Sequence, residues 1–476
     1  MSNPLYSAIK RSVTGKLLTY IVQFLALAIY ARIFTPEQFG IIASIQVFVV
    51  FFQLLADVGI GPAIINEETF TANQRDGIFS TTLILGLLLG ILFYSFSYIL
   101  NEFYNGYKYQ EIALIVSIGI VFNALNIVPL TALNKDAAFL KIAKVDCLVE
   151  LISLSIVYLL YSFGVGLIAL AIKPLSQALF KFIFIWLTSK KTSLGRPKFG
   201  KELYHIKKIA SFASYQFGFN LINYFSRNLD KILIGKYIST SALGVYEKSY
   251  QLMQYPLMLT TFAMTPAIQP ILTKVRSDVG KVVNEHNILT SKLLTLSTLI
   301  SVFIYLNANN IVFLLFGEQW RDVIPLIEIF SFMIPIQAVL STSGSFYQVM
   351  NKPKLLFISG FLSALANIVA IVLGIYTKEL KSLSLFILIS FSINFIQCYF
   401  ILFKYCFKYS PYNFYKKLLS SLITSAPPII MYIFIKINFD NYFFNNNSIL
   451  NLILNILVAF FCIIIFQKPI KKSLLN

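Results

Sequence analysis

Polar and charged side chains recur every three or four residues in an otherwise apolar segment, NLINYFSRNLDKILIGKYI. This spacing places Asn220, Asn223, Arg227 and Asp230 on one face of a helix, with Lys231 beside them. A charged side chain near the centre of a membrane helix costs about 2.5–3.5 kcal/mol, so three charges facing lipid are strongly disfavoured. We expect the stripe to face protein or water, where its surplus of cations favours an anionic ligand such as a phosphate or pyrophosphate.

An internal ion-pair cluster is the alternative interpretation of these charges. Arg227 and Asp230 are three residues apart, a spacing that allows them to pair along one helix face. For Asp230 this structural role is favoured over ligand binding. One carboxylate cannot neutralise both Arg227 and Lys231, so a positive charge remains for a ligand.

Two more cations occur in an apolar segment further towards the N-terminus, Lys173 and Lys181. Asp146 and Glu150 lie four residues apart in the preceding apolar segment, so they share one helix face and are candidate partners. Ion pairing between the two helices is the simplest interpretation. Excess positive charge in a shared cavity is the alternative.

The composition indicates that these helices cross a membrane. Of the 476 residues, 57% are hydrophobic and only 12% are charged, and the mean hydropathy is +0.75. Soluble domains have about 25% charged residues. Apolar runs long enough to span a bilayer recur along the chain and predict an all-α polytopic membrane protein with about fourteen transmembrane helices. The predicted spans are 17–34, 39–63, 78–100, 111–133, 142–161, 164–188, 209–236, 242–272, 287–316, 323–348, 355–376, 382–404, 413–436 and 448–467.

The distribution of positive charge predicts the topology. The chain has 39 Lys and Arg residues and a net charge of +19. With the N-terminus in the cytoplasm, most of these residues fall in cytoplasmic segments, as the positive-inside rule requires, and both termini are cytoplasmic. We therefore interpret the basic charge as topology and attraction to anionic lipid, and we expect no nucleic-acid partner. A cleavable signal peptide is the less favoured interpretation of the first span.

The chain is predicted to be an internal duplication. ARIFTPEQFGI matches GKYISTSALGV at a fixed offset of 204 residues, which pairs Gly40 with Gly244 (244 − 40), and Pro62 then matches Pro266 at the same offset. The predicted domains are an N-lobe of spans one to six, a basic cytoplasmic linker, a C-lobe of spans seven to twelve and a C-terminal helix pair. Their ranges are 1–188, 189–208, 209–404 and 405–476.

Two homologous six-helix lobes around a central cavity are the usual architecture of alternating-access transporters. Applying the same offset to the first span identifies a second polar stripe that includes Lys16 and Gln23. We expect a hydrated cavity between the lobes, lined largely by spans one, two, seven and eight.

No signature of catalysis or of a cofactor is present. The two histidines, His205 and His286, fall in predicted cytoplasmic loops, and no nucleotide-binding, hydrolase or metal-ligand motif occurs. We therefore predict no catalytic residue, no metal site and no cofactor. The predicted outer loops are short, whereas a membrane polysaccharide polymerase usually has large ones. These features favour a transporter over an enzyme.

Two segments carry a family resemblance: TGKLLTYIVQFLALAIYARIFTPEQFGIIA near the N-terminus and FGFNLINYFSRNLDKILIGKYISTSALGVYEKSYQLMQYP in the second half. The second contains the pattern N-x(6)-R-x-x-D-x(4)-G-x(8)-G-x-Y. In these segments, and in their order over nearly the whole chain, the sequence resembles the polysaccharide transport branch of the MOP flippase superfamily, the Wzx-type repeat-unit flippases.

This resemblance implies a function and a location. Family members flip undecaprenyl-pyrophosphate-linked oligosaccharide units across the bacterial inner membrane for O-antigen, capsule or exopolysaccharide assembly, by alternating access coupled to ion movement. The implied partners are the lipid-linked oligosaccharide, membrane lipid and other polysaccharide assembly proteins. The predicted substrate-binding residues are Arg227, Lys231, Lys173, Lys16, Asn220, Asn223 and Gln23. The ion-coupling candidates are Asp57, Glu247, Glu328 and Asp230.

Two other functions remain as alternatives. One is a different exporter of the same superfamily, for a peptidoglycan lipid precursor or for drugs in exchange for ions. A drug exporter for organic cations would favour acidic cavity residues, so the surplus of Lys and Arg argues against it. The other, less favoured, is a membrane polysaccharide polymerase, which the short outer loops and the duplication disfavour.

Overall fold

The structure of the protein, a computed structural model, describes residues 4–57, 60–66, 71–104, 107–205, 224, 227–258, 261, 268–269, 272–443 and 448–466. These residues are helices, turns and short connections, and no strand occurs among them. The chain divides into two compact units, Met1–Gly244 and Val245–Asn476. The all-α class predicted from the sequence is confirmed.

The first unit contains seven helices, then the described helix of residues 227–237 and the start of the next helix. Helices α1 to α7 are Pro4–Ile33, Pro36–Asp57, Ile60–Asn66, Ala72–Phe103, Gln110–Lys135, Phe139–Ser162 and Leu167–Ser189. Helix α8 comprises residues 227–237, and α9 is Thr240–Leu257. The first turn of α9 belongs to this unit and the remainder to the second.

The second unit continues with eight more helices. Helices α10 to α17 are Val279–Leu306, Ala308–Leu315, Val323–Ser331, Met333–Val349, Pro353–Tyr376, Leu380–Ile401, Pro411–Phe443 and Ser448–Ile465. A π-helical turn, Leu402–Phe407, extends α15. Short 3-10 turns lie at Leu203–His205, Thr273–Val275 and Glu318–Trp320.

Nine helices in the described part of the chain are long and apolar enough to cross a membrane. The count rises to ten if α12 and α13, which meet at an angle of 52°, form one span. Pro335 accounts for this break, because a proline three residues into a helix clashes with the carbonyl four residues earlier, at Ser331. The polytopic membrane architecture is confirmed, and the count of fourteen spans stays a prediction.

Small residues allow the helices of the first unit to approach closely. A Cβ atom on Gly86 of α4 would lie 2.9 Å from Cβ of Ala124 on α5, and one on Gly90 would lie 3.1 Å from the Ser117 carbonyl oxygen. Lipid gives helices no hydrophobic drive to associate, so close backbone packing at small residues supplies much of their attraction. Helix α5 packs in this way between α4 and α7.

His286 lies inside α10 and is fully buried, so the prediction that it falls in a cytoplasmic loop is wrong. Its ring meets Phe346 edge-on at 4.6 Å and contacts four more aromatic rings from α15, its π-helical extension and α16: Tyr399, Phe403, Phe407 and Phe414. Imidazole is itself aromatic, so it packs edge-to-face among such rings. Helix α10 begins at Val279, eight residues before the start of the predicted span 287–316.

A polar network ties the C-terminal helix pair to the break between α10 and α11. Asn307 at that break donates a hydrogen bond to the Tyr432 hydroxyl of α16 at 2.7 Å, and Tyr432 donates to Asn455 of α17 at 2.9 Å. All three residues are buried. Side-chain hydrogen bonds of this kind hold helices together where the surroundings offer no water.

The two glycines that the duplication pairs, Gly40 and Gly244, touch each other. They lie in the first turns of α2 and α9, and a Cβ on either one would come within about 3 Å of the other's backbone nitrogen (3.1 and 3.0 Å). A Cβ on Gly40 would also overlap the Thr240 carbonyl, and one on Gly244 would overlap the Pro36 carbonyl. Only glycine fits at either position without moving backbone.

We expect Gly40→Ala and Gly244→Ala each to lower the unfolding temperature in detergent, because forcing atoms into a packed contact costs about 1–3 kcal/mol. Gly360→Ala is the matched control, since no atom lies within 4 Å of a Cβ at that helical position. The control should be neutral or stabilising by about 0.5–1 kcal/mol. Equal unfolding temperatures for Gly40→Ala and the wild type would contradict this account of the contact.

Candidate functional site

An ion pair buried between α6 and α7 forms one part of the candidate site. The Nζ atom of Lys173 lies 3.4 Å from Oε1 of Glu150, and Nε2 of Gln177 donates to the other carboxylate oxygen at 2.7 Å. The Glu150 side chain is only 5% exposed, whereas that of Lys173 is 29% exposed. Glu150 thus pairs with Lys173 from the buried side, and the Lys173 side chain stays partly exposed.

The position of Lys173 is fixed by neighbours on two sides. Its Nζ atom lies 4.1 Å from the centre of the Tyr30 ring of α1, a cation–π contact, and Tyr30 is almost fully buried. One turn further along α7, the hydroxyl of Ser176 donates to that of Ser153 on α6 at 3.0 Å. A cation–π contact away from bulk water is worth about 2 kcal/mol, so Tyr30 contributes substantially to holding the ammonium group.

A second ion pair joins the same two helices eight residues further along α7. The Nζ atom of Lys181 lies 2.8 Å from Oδ1 of Asp146, with both side chains about a quarter exposed. The pairing that the sequence suggested for Asp146 and Glu150 with the two lysines is therefore confirmed. We refer to these two contacts as the α6–α7 ion pairs.

A cavity of about 500 Å³, lined by both polar and apolar side chains, lies beside the second of these pairs. We call it the Asp57 cavity. Its lining comes from four elements of the first unit: the second half of α2, the short helix α3, helix α5 and one residue of α7. The residues are Val50, Gln53, Leu54, Ala56, Asp57, Gly61, Pro62, Ile65, Asn123, Asn126, Ile127, Leu130, Thr131, Asn134 and Lys181.

Asp57 carries the negative charge of this cavity. One of its carboxylate oxygens accepts a long hydrogen bond of 3.5 Å from the backbone nitrogen of Gly61, and it forms no ion pair with any described residue. Asn126, only 6% exposed, lines the same cavity, and its amide oxygen meets no hydrogen-bond donor in the described part of the chain. A buried acceptor without a donor costs about 1–3 kcal/mol.

The arrangement is suited to a proton or a small monovalent cation. Carboxylate, amide and hydroxyl oxygens are the donor atoms that hard cations prefer, and a proton on Asp57 would remove its charge. The described residues contain no group of three His, Cys, Asp or Glu side chains that could hold a metal ion through several charged ligands. Asp57 is the one carboxylate among the described lining residues, and the ammonium group of Lys181 in the same lining is paired with Asp146, so the cavity favours a singly charged guest.

Sequence reasoning identified Asp57 and missed its partners on α5. Asn123, Asn126 and Asn134 lie three and eight residues apart, which is close to whole helical turns, so they form one stripe. This stripe carries no charge and lies in an apolar helix, so a search for charged residues within predicted spans does not find it. A search for amide side chains at helical spacing within predicted spans would have found it.

The structure describes part of the charged stripe of span seven. Arg227 is exposed and Lys231 is half-buried, while Asp230 is buried and accepts a hydrogen bond of 2.8 Å from the backbone nitrogen of Lys231. Asn220 and Asn223 lie outside the described residues.

The other predicted residues are not in the lining of the Asp57 cavity. Lys16 and Gln23 are exposed on α1. Glu247 on α9 and Glu328 on α12 are half-buried within the second unit. Of the four ion-coupling candidates, only Asp57 lines the cavity.

The sequence matches the family described as "Polysaccharide biosynthesis protein" over residues 29–325. It is 23% identical to the teichuronic acid biosynthesis protein TuaB of Bacillus subtilis, covering 71% of this chain and 69% of that protein. It is 21% identical to the succinoglycan biosynthesis transport protein ExoT of Rhizobium meliloti, covering 76% of this chain and 73% of that protein. The resemblance predicted from the sequence is confirmed.

The fold is similar to that of the lipid II flippase MurJ in an inward closed conformation. The TM-score is 0.77 at 15% sequence identity, covering 98% of this chain and 99% of that chain. An identity this low shows a common fold.

A pair of variants separates the structural from the functional role of Lys173. Glu150→Gln leaves Lys173 without its counter-charge, and removing one partner of a buried pair costs about 3–5 kcal/mol, so we expect a lower unfolding temperature. The double variant Glu150→Gln with Lys173→Met should regain most of that stability, because no unpaired charge remains. If Lys173 binds cargo, the double variant is stable in the membrane but deficient in transport.

Asp146→Asn with Lys181→Met, which removes the other α6–α7 ion pair, is the matched control for stability only, because Lys181 also lines the Asp57 cavity. A double variant at Glu150 and Lys173 that is both stable and fully active would assign Lys173 a purely structural role.

Proposed function

Because the chain belongs to the polysaccharide biosynthesis protein family, we propose that it flips lipid-linked oligosaccharide units across a bacterial membrane. The proposed cargo is an undecaprenyl-pyrophosphate-linked repeat unit for O-antigen, capsule or exopolysaccharide assembly. Relatives named for polysaccharide biosynthesis and transport support a transporter over an enzyme. The proposed location is the inner membrane, with both termini in the cytoplasm, as the distribution of Lys and Arg favours.

The observation that carries the choice of an anionic cargo is Arg227 on α8. Its side chain is exposed, and it forms no ion pair with the part of the chain that the structure describes. A guanidinium group presents five donors in a planar fork that matches phosphate oxygens. Lys231, one turn further along, is half-buried and adds a second positive charge.

The proposed mechanism is alternating access between two lobes. The lobes are residues 1–188 and 209–404, with the linker 189–208 between them and the helix pair 405–476 after them. Cations on the first helices of both lobes would attract the pyrophosphate, with Lys16 in one lobe and Arg227 and Lys231 in the other. The neutral amide of Gln23 would add a hydrogen bond beside Lys16. Asn220 and Asn223 remain candidates for contacts with sugar hydroxyls.

Ion coupling is assigned to Asp57 because its cavity has the chemistry to hold a proton or a small cation. A bound cation drives a conformational change only as far as its affinity differs between the two states. A tenfold difference in affinity corresponds to about 1.4 kcal/mol. An ionised Asp57 in a half-buried cavity is costly, and the same group neutralised is not, so Asp57 can bias the equilibrium between states. Glu247, Glu328 and Asp230 are the remaining candidates.

Arg227→Ala and Lys231→Ala should abolish surface polysaccharide while the protein remains in the membrane at normal abundance, because the pyrophosphate loses its charge partners. Arg227→Lys should retain partial function. The matched control is Arg276→Ala, which removes an exposed cation outside the stripe. Surface polysaccharide is measured alongside membrane abundance, and disappearance of the Arg227→Ala protein from the membrane would favour the structural interpretation of these cations.

A proteoliposome assay distinguishes cargo classes. We expect flipping of a fluorescent undecaprenyl-pyrophosphate oligosaccharide and little flipping of a peptidoglycan lipid precursor. The reverse result would favour the alternative exporter, and no movement of either lipid would contradict the proposal.

Asp57→Asn should uncouple transport in the same assay. The variant should move cargo down its own gradient but lose the acceleration that an imposed proton or sodium gradient gives the wild type, because the neutral amide cannot change its charge. The matched control is Glu37→Gln, an exposed acid in the first turn of the same helix. Full gradient dependence in Asp57→Asn would refute the assignment of coupling to this residue.

A further inference from the structure

The stretch of chain that follows α7, residues 190–205, is bound to the ends of three helices of the first unit. We call it the docked linker. The backbone nitrogen of Ser193 donates to a carboxylate oxygen of Asp136, just after α5, at 2.7 Å, and the Ser193 hydroxyl donates to the other oxygen. The backbone nitrogen of Lys198 donates to Oδ1 of Asp76 on α4 at 2.9 Å. Two carboxylates thus bind backbone of the docked linker.

Further contacts lie in the first turns of α4. The helix starts with a capping box between Thr71 and Gln74, which sets the position of the residues that follow. Arg75 lies 2.8 Å from Asp76 through Nε and donates through Nη1 to the carbonyl of Leu194. The backbone nitrogen of Gly200 donates to the Ser80 hydroxyl at 2.8 Å.

Trp186 on α7 completes the attachment. Its indole nitrogen donates to the carbonyl of Pro197 at 3.0 Å, and the guanidinium of Arg196 lies 4.3 Å above its ring. The docked linker therefore has a defined conformation along this end of the unit. One face of the docked linker contacts the helix ends, and the opposite face is available to a binding partner.

The lysines of the docked linker point to that partner. Four of them are exposed and form no ion pair within the described residues: Lys190, Lys191, Lys198 and Lys201. The docked linker keeps an excess of positive charge, because these four lysines and Arg196 face one carboxylate of its own, Glu202, and Asp76 is paired with Arg75. Four cations on one short, fixed segment form a strongly basic surface.

Apolar and aromatic side chains alternate with these cations. Phe199 is 69% exposed and Tyr204 is 62% exposed, and Leu203 is also exposed. A soluble acidic partner would match the lysines and leave these side chains without a matching surface. A lipid headgroup region matches both, since aromatic residues favour the interface between hydrocarbon and water and Lys is attracted to anionic headgroups.

We propose that the docked linker is a binding surface for anionic phospholipid headgroups at the membrane face where α7 ends. The occupant is an anionic phospholipid of the bulk membrane, such as phosphatidylglycerol. The lysines bind the phosphates, while Phe199, Leu203 and Tyr204 enter the headgroup region. The surface rests on the membrane location of the helices and requires neither transport activity nor a particular cargo.

The two tryptophans of the chain provide a direct test in the intact protein. Trp186 lies against the docked linker, whereas Trp320 is fully buried in the second unit. The protein is placed in nanodiscs that contain brominated phosphatidylglycerol or brominated phosphatidylcholine, and quenching of tryptophan fluorescence gives the relative affinity for the two lipids. Trp186→Phe should remove most of the quenching, which assigns the signal to the docked linker.

We expect the wild type to prefer phosphatidylglycerol, and we expect salt to weaken the preference. Changing all four lysines to Gln should reduce it at least about fivefold, the factor that corresponds to about 1 kcal/mol for a single Lys near an anionic surface. Changing the same four lysines to Arg should retain it. Lys378→Gln with Lys381→Gln, which neutralises two exposed lysines of the second unit, is the matched control and should leave it unchanged.

Equal quenching by the two brominated lipids in the wild type would overturn the proposal. A preference that survives the four Gln substitutions would also overturn it. An unchanged unfolding temperature of the Gln variant shows that the loss is not one of folding. Because the assay measures lipid association alone, its failure is distinguishable from a failure of flipping.

Discussion

A charged side chain within an apolar helix bundle must be paired, hydrated or neutralised by a bound ion, because the surroundings cannot solvate it. This constraint organises the first unit. Lys173 and Lys181 are paired with Glu150 and Asp146, and the two contacts join α6 to α7 at points eight residues apart on α7. The pairs stabilise the bundle only while both partners are present, since each would leave a costly charge if its partner were removed.

The same constraint distinguishes Asp57 from Glu150 and Asp146. Glu150 and Asp146 have a cation within ion-pair distance, whereas Asp57 has a single long hydrogen bond and a cavity beside it. Lys181 lines that cavity and also pairs with Asp146. A proton or cation at Asp57, as proposed above, would alter the electrostatic field at Lys181, because both residues line the same cavity.

Backbone contacts provide the second level of organisation. Gly40 and Gly244 pack against each other where any side chain would overlap a carbonyl, and Gly86 and Gly90 allow α4 to approach α5. On the docked linker, backbone nitrogens of Ser193, Lys198 and Gly200 find acceptors on Asp136, Asp76 and Ser80. These acceptors bind the backbone of the docked linker, while its lysine side chains remain exposed.

The sequence alone determined the membrane class and the helical architecture, and it offered Asp146 and Glu150 as candidate partners of Lys173 and Lys181. All of these follow from local regularities: the cost of inserting polar groups limits the length of apolar runs, and helical periodicity places residues three or four apart on one face. Asp57 was identified as an acid within a predicted span, but nothing in the sequence joined it to Asn126, which lies 69 positions later.

Only the tertiary structure decided which polar residues share a cavity, because that depends on how α2, α3, α5 and α7 pack and not on spacing within any one of them. The tertiary structure also decided that His286 is buried among aromatic rings. Histidine occurs both at surfaces and in cores, so the residue type alone did not reveal its burial. The contact between Gly40 and Gly244 required both kinds of information. The repeat in the sequence paired the two residues. Only the folded chain shows that they touch, because the contact is between backbone atoms and leaves no side-chain pattern in the sequence.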